Sequence, residues 1–73
     1  LKQYEAKQFE QAIVTFQQVV DKSPGNYAAL YNIGLCHYSL ERYEMAIDLF
    51  KRVIKINPDY TVAYIQLGNS LDY

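Results

Sequence analysis

Cys36 and His37 are the residues whose types first suggest chemistry, because a thiol beside an imidazole supplies a nucleophile and its base. Neighbours on a helix point about 100° apart, so these two side chains cannot meet as a hydrogen-bonded pair. No third group completes a constellation around them. Both are expected in or near the core, where cysteine is commonly found. As the only cysteine, Cys36 can form no intrachain disulfide and no Cys-based zinc cluster. His37 is the only histidine and makes a poor metal site alone. The sequence therefore predicts no catalytic residue, no metal ligand and no cofactor: a non-enzyme.

The charged residues lie mostly in two stretches, 9–22 and 43–56. Asp48 and Arg52 are spaced i, i+4 for a helical pair, and Glu44, Lys51 and Lys55 share that side. Lys51, Arg52 and Lys55 would also suit a helix C-terminus, where cations complement the dipole. A solvated outer face is the expected role. Net charge is −1 and the pI near 5.7, which argues against nucleic acid, a partner that normally demands a basic excess. No apolar run of about 18 residues is present to span a bilayer, so membrane insertion is not expected. A hydrophobic content of 51% excludes a disordered tail. The opening residues LKQYEAKQFEQ are polar and unlike a signal peptide. Leu1 in place of Met, with a repeat already under way, predicts a sequence cut from a longer one. A lone cysteine is compatible with a reducing compartment, and the cytoplasm is favoured.

The elements that must position these residues follow from an internal period. Ala12 and Ala46, Phe16 and Phe50, Val19 and Val53, and Pro24 and Pro58 are each 34 residues apart. So are Ala29 and Ala63, Ile33 and Leu67, Gly34 and Gly68, Phe9 and Tyr43, and Tyr4 and Tyr38. A fixed period of 20–50 residues is the signature of stacked repeats. Within the period, Phe9, Ala12, Ile13, Phe16, Val19 and Val20 mark one face of a helix over 9–22. Ser23-Pro24-Gly25-Asn26 breaks it, and Asn26 is placed to cap the next helix. That helix covers about 27–40 with Leu30, Ile33, Gly34, His37 and Leu40. A turn at Glu41-Arg42 leads to a helix over 43–56, and Asn57-Pro58-Asp59 precedes a last one from Thr61. Residues 1–6 are expected to be the tail of a further, separate helix.

Small residues at Gly34 and Ala46 would let an antiparallel pair approach closely, with Phe50 and Tyr43 filling the space beyond. Glycine in mid-helix costs roughly 1 kcal/mol against alanine, so its return at Gly68 asks for a packing reason.

The spacing Leu30-x2-Ile33-Gly34-x2-His37, then Ala46-x3-Phe50, then Pro58, resembles the tetratricopeptide repeat, a 34-residue helix–turn–helix unit. The flanks agree, with Ala12-x3-Phe16 to Pro24 before it and Tyr64-x2-Leu67-Gly68-x2-Leu71 after it. Leu30 stands where the family usually has Trp, and His37 where it usually has Tyr. The resemblance implies an all-α fold of antiparallel helix–turn–helix repeats stacked as an α-α superhelix. It divides a single domain, 1–73, into a partial repeat at 1–26, a complete one at 27–60, and a partial repeat or capping helix at 61–73.

The resemblance also implies a concave wall lined by the first helix of each repeat. Carried over, that peptide-binding groove comprises Ala28, Tyr31, Asn32, Leu35, Tyr38 and Ser39 in the complete repeat. It continues through Val62, Ile65, Gln66, Asn69, Asp72 and Tyr73, with Leu1, Tyr4 and Glu5 before it. These side chains are expected to be spare to packing within the repeat. Tyrosine is favoured at interfaces, so Tyr31 and Tyr38 are expected as anchors, with Asn32 and Gln66 holding a ligand's backbone. Chaperone-binding relatives capture a C-terminal carboxylate with Lys, Arg and Asn. Tyr31, Leu35, Val62 and Gln66 stand at those places, only Asn32 agrees, and acidic termini are not the expected ligand.

The expectation is a non-catalytic protein–protein interaction module or scaffold binding a protein or peptide segment. The alternatives are a structural spacer or self-association element of a longer repeat protein, or a regulatory domain of a larger enzyme. The 61–73 helix leaves Tyr64, Leu67 and Leu71 without a second helix, which predicts a longer repeat array or a homo-oligomer.

Overall fold

A computed structural model describes residues 3–72. Four helices follow one another: α1 (Gln3–Lys22), α2 (Tyr27–Ser39), α3 (Tyr43–Ile56) and α4 (Thr61–Leu71). α1 packs on α2, α2 on α3 and α3 on α4, while α2 also touches α4. Short connections force each neighbouring pair to run antiparallel. The Cα envelope is 34 × 32 × 15 Å. Its thin dimension matches two helices in contact, about 8–10 Å between axes plus two backbone radii of about 2.3 Å. The result is an all-α stack of helical hairpins, as the repeat pattern predicts.

The chain breaks have local causes. Asn26 Oδ1 accepts from the Ala29 amide at 3.1 Å and caps α2, satisfying a donor that a helix start leaves open. Between α2 and α3, the Glu41 amide donates to the Tyr38 carbonyl at 2.9 Å and the Arg42 amide to the His37 carbonyl at 2.8 Å. This paired closure is the Schellman arrangement, which requires a left-handed residue. Glu41 supplies it at φ 61°, where glycine would sit without strain.

α1 corrects one expectation. Residues 3–6 are not the tail of a separate helix; they continue into 9–22 as one helix of 20 residues. Lys7, which stands 34 residues before Glu41, is helical. QYEAKQFE holds no glycine, proline or strong turn former, and a left-handed turn at a non-glycine residue costs roughly 1–2 kcal/mol. Tyr4 is exposed, and Glu5 and Ala6 are only half-buried, too little burial to offset it.

The core runs through the middle of the stack. Leu30, Ile33, Ala29, Val20, Val53 and Ala63 form its buried cluster, with Ile13, Phe16, Leu49 and Ile54 packed around it. Ala46 and Phe50 are fully buried beside it. A Cβ built on Gly34 would stand 2.6 Å from Phe50 Cε1. Gly34 is therefore the socket for that ring, which accounts for a helix-weakening residue in mid-α2.

Candidate functional site

Taking α2 first, positions 28, 31, 32, 35 and 38 fall on one face at about 100° per residue. Leu30, Ile33, Gly34 and His37 fall on the opposite face, against α3. Ala29 and Cys36, both buried, lie between the two faces. α4 repeats the division. Val62, Ile65, Gln66 and Asn69 share the first face, and Ala63 and Ser70 are buried toward α3. The two wall faces adjoin where α2 touches α4. Burial pushes the Tyr31 phenol up from its ordinary value, and hydrogen bonding to the Gln66 side chain opposes this. Tyr31 and Gln66 thus join the two helices.

Neither α2 nor α4 contains a single Asp, Glu, Lys or Arg. All seven basic and eight acidic residues of the chain lie outside them. Along the wall, Val62 and Ile65 are exposed, Ile65 to 56%. Ala28 and Asn69 are also open to solvent, and Asn32, Leu35, Ser39 and Gln66 are half-buried. From Ala28 to Asn69 the surface is neutral, with apolar patches flanked by side-chain amides; Asp72, exposed at the C-cap of α4, adds an acidic residue at its far end.

The tyrosines behave otherwise than expected. Tyr31 is not spare to packing: its ring lies 5.7 Å from Phe50 and 5.3 Å, edge to face, from Tyr60. Tyr60 in turn meets Tyr27 at 5.0 Å. Tyr38 stacks edge to face on Tyr43 at 5.4 Å, bridging the α2–α3 turn. Such pairs contribute about 0.5–1.5 kcal/mol beyond area burial. Tyr4 is exposed on α1 and, because α1 is continuous, is not carried by a preceding helix of the wall. Glu5 is half-buried there. Leu1 and Tyr73 lie outside the described residues.

Cys36 and His37 are buried. Burial pushes the Cys36 thiol up, away from thiolate character. Burial, then the Arg42 charge, holds the His37 imidazole below its ordinary value, with Glu10 opposing. His37 Nδ1 is itself buried and has no hydrogen-bond partner among the described residues.

The outer face carries Glu44, Asp48, Lys51, Arg52 and Lys55 in solvent, as expected. Among the described residues, however, the ion pair is not Asp48–Arg52 but Arg42–Glu10. The Arg42 guanidinium donates to both carboxylate oxygens of Glu10, at 2.7 and 3.0 Å. Spanning 32 residues, it ties α1 to the α2–α3 turn, and it holds the Glu10 carboxyl below its ordinary value. No short-range pattern marks such a pair. Ser70 stands 34 residues after Cys36, and that spacing is its only mark in the sequence. It is buried, with its hydroxyl donating to the Gln66 carbonyl at 2.8 Å.

Two family models, each described as Tetratricopeptide repeat, match residues 27–60 and 3–26. The chain is 33% identical over 55 residues to Tetratricopeptide repeat protein 6 of Homo sapiens, covering 75% of this chain and 11% of that protein. It is 29% identical over 70 residues to BBSome complex member BBS4 of Xenopus tropicalis, covering 96% and 14%. Against DnaJ homolog subfamily C member 3 of Rattus norvegicus it is 32% identical over 66 residues, covering 90% and 13%. The chain thus spans roughly a tenth to a seventh of the length of these relatives.

Proposed function

The chain belongs to the tetratricopeptide-repeat family and is a protein-interaction module, and from that premise we propose that the α2–α4 wall binds a neutral, apolar segment of a protein partner. The observation that carries this reading is the absence of charge on both wall helices together with the exposure of Val62 and Ile65. A wall of this kind gains affinity by burying apolar area, at about 25 cal/mol per Å² before the costs of association. It offers no guanidinium or ammonium to a carboxylate or phosphate. Ile65 and Val62 are the anchors in this reading. Asn32, Gln66 and Asn69 hold the partner's backbone by amide hydrogen bonds. Tyr31 and Tyr38 support the wall from within, through Phe50, Tyr60 and Tyr43, rather than acting as free anchors.

The test is capture of partners from cell extract by the wild-type chain and by a Val62→Asp/Ile65→Asp double variant. Both positions are exposed, so helix content by circular dichroism should be unchanged. Partners should be lost from the double variant, retained by Lys51→Glu on the outer face, and insensitive to salt from 0.1 to about 1 M. Retention by the double variant, or loss with Lys51→Glu, would move the binding surface elsewhere.

A further inference from the structure

A groove of about 260 Å³ runs between α1 and α3, over α2. Ile33 and His37 of α2 contribute its floor, Ile13 of α1 and Leu49 of α3 its sides. Ile33 and His37 belong to the face of α2 turned away from the α2–α4 wall, so the groove is separate from that surface and independent of it. All three helices that line it are described along the whole of its length. Ile33 is buried, and Ile13 and Leu49 are half-buried, which makes an apolar slot. His37 is the polar group in its floor, only 5% exposed, and its Nδ1 has no hydrogen-bond partner among the described residues. A buried polar atom left unpaired is costly. Burial first, and the Arg42 charge next, keep the imidazole from taking up a proton, so it is neutral near pH 7. In that state one ring nitrogen donates and the other accepts, and a hydroxyl can satisfy either because it does both.

We propose that this groove receives one tyrosine side chain of a protein partner, its ring between Ile13, Ile33 and Leu49 and its hydroxyl on His37 Nδ1. The volume lies below the roughly 300–1,000 Å³ of pockets for drug-sized ligands and suits a single side chain. Met45, also on the lining, is 51% exposed. Its unbranched thioether can turn aside to admit the ring and then meet the ring's edge. At the rim stand Asp48 and Arg52, exposed and opposite in charge. A lone carboxylate or ammonium would meet attraction and repulsion there together, whereas a neutral phenol meets neither. Phenylalanine would leave the imidazole unpaired, tryptophan brings a donor only, and a charged side chain would lose its hydration inside an apolar slot.

The probes are N-acetyl-L-tyrosinamide and N-acetyl-L-phenylalaninamide, which present each side chain on a neutral backbone. Each is titrated into the 73-residue chain to about 20 mM, a range that reaches millimolar affinities, and followed by NMR. The tyrosine probe should saturate, shifting the methyl signals of Ile13, Ile33, Met45 and Leu49 and the ring nitrogens of His37. It should bind about tenfold more tightly than the phenylalanine probe, because only its hydroxyl pairs the imidazole. His37→Leu, checked for helix content by circular dichroism, should bind the two probes alike. Equal binding of both probes to the wild type, or no saturable shift at the highest concentration, would overturn the proposal. Both results come from the wild type and stand whether or not His37→Leu folds. A tyrosine preference surviving in folded His37→Leu would overturn it as well, and so would shifts confined to Val62 and Ile65, which would place the ring on the wall instead.

Discussion

Gly34 and Gly68 are the same residue at the same place in the repeat, and their surroundings have nothing in common. At Gly34 the missing side chain is what lets Phe50 close the α2–α3 seam. At Gly68 a Cβ would meet nothing within 4 Å among the described residues. Residue type in a repeat records what a position is for, while the energy it contributes depends on whether a neighbour covers it. The sharpest way to break that contrast is to remove the rings themselves. Phe50→Ala empties a fully buried site and should cost about 3–5 kcal/mol. That is a large share of the roughly 4–11 kcal/mol such a chain commands at about 0.05–0.15 kcal/mol per residue. Phe16→Ala, half-buried at the repeat-equivalent place, should cost clearly less. Urea unfolding of both variants decides it, and equal losses would mean the two seams are equally covered.

Alanine at each glycine sharpens the contrast, because the two substitutions should have opposite signs. Gly34→Ala forces the Phe50 ring to move and should destabilise by about 1–3 kcal/mol. Gly68→Ala, with open space around it, should stabilise by up to about 1 kcal/mol through helix propensity. The difference between the two unfolding midpoints is the measurement. Two shifts of the same sign would show that the α4 socket is filled in solution.

Much of this was legible in the sequence because the period multiplies each local signal. The boundaries of α2, α3 and the start of α4, the Asn26 cap and the burial of Cys36 all follow from spacing and turn chemistry. The period also misled, by importing a turn at Lys7 that only its counterpart at Glu41 makes. There the deciding term is not in the local residues: a reversal is favoured only when both of its arms have something to pack on. The wall tyrosines depart from the sequence expectation for a related reason. A one-dimensional repeat places Tyr31 on the wall face, but only the fold shows its ring reaching Tyr60, 29 positions on, across the α3–α4 connection.

That difference between positions 7 and 41 yields the next prediction. Glu41→Gly relieves a left-handed residue and should stabilise the chain by up to about 1 kcal/mol, glycine's added backbone entropy offsetting part of the gain. Lys7→Gly interrupts a continuous helix and should lose about 1 kcal/mol of local helix stability. Thermal melts report the first. Amide exchange within residues 4–10 reports the second, as faster exchange confined to that end.

The smallest effect separates covered from uncovered positions by protonation alone. His37 and its counterpart Leu71 differ in burial as Gly34 and Gly68 do, and a buried imidazole resists its charge. The His37 value lies below the ordinary 6.5, through burial first and the Arg42 charge second. Glu10 faces it from α1 and partly opposes the shift. The unfolded chain therefore binds the proton more readily. Stability from this residue is fully present above about pH 6.5 and is lost as pH falls from there toward the lower folded value. Glu10 acts in another window, because Arg42 lowers its carboxyl from 4.5. Its contribution holds above about pH 4.5 and fades only below that. Urea midpoints between pH 5 and 7 should therefore fall on acidification in the wild type and stay nearly flat in His37→Leu, while both proteins weaken further below pH 4.5. Leu71→His should add no slope between pH 5 and 7, because solvent at the open end of α4 accepts either protonation state. A slope appearing there would mean that the α4 face is covered after all.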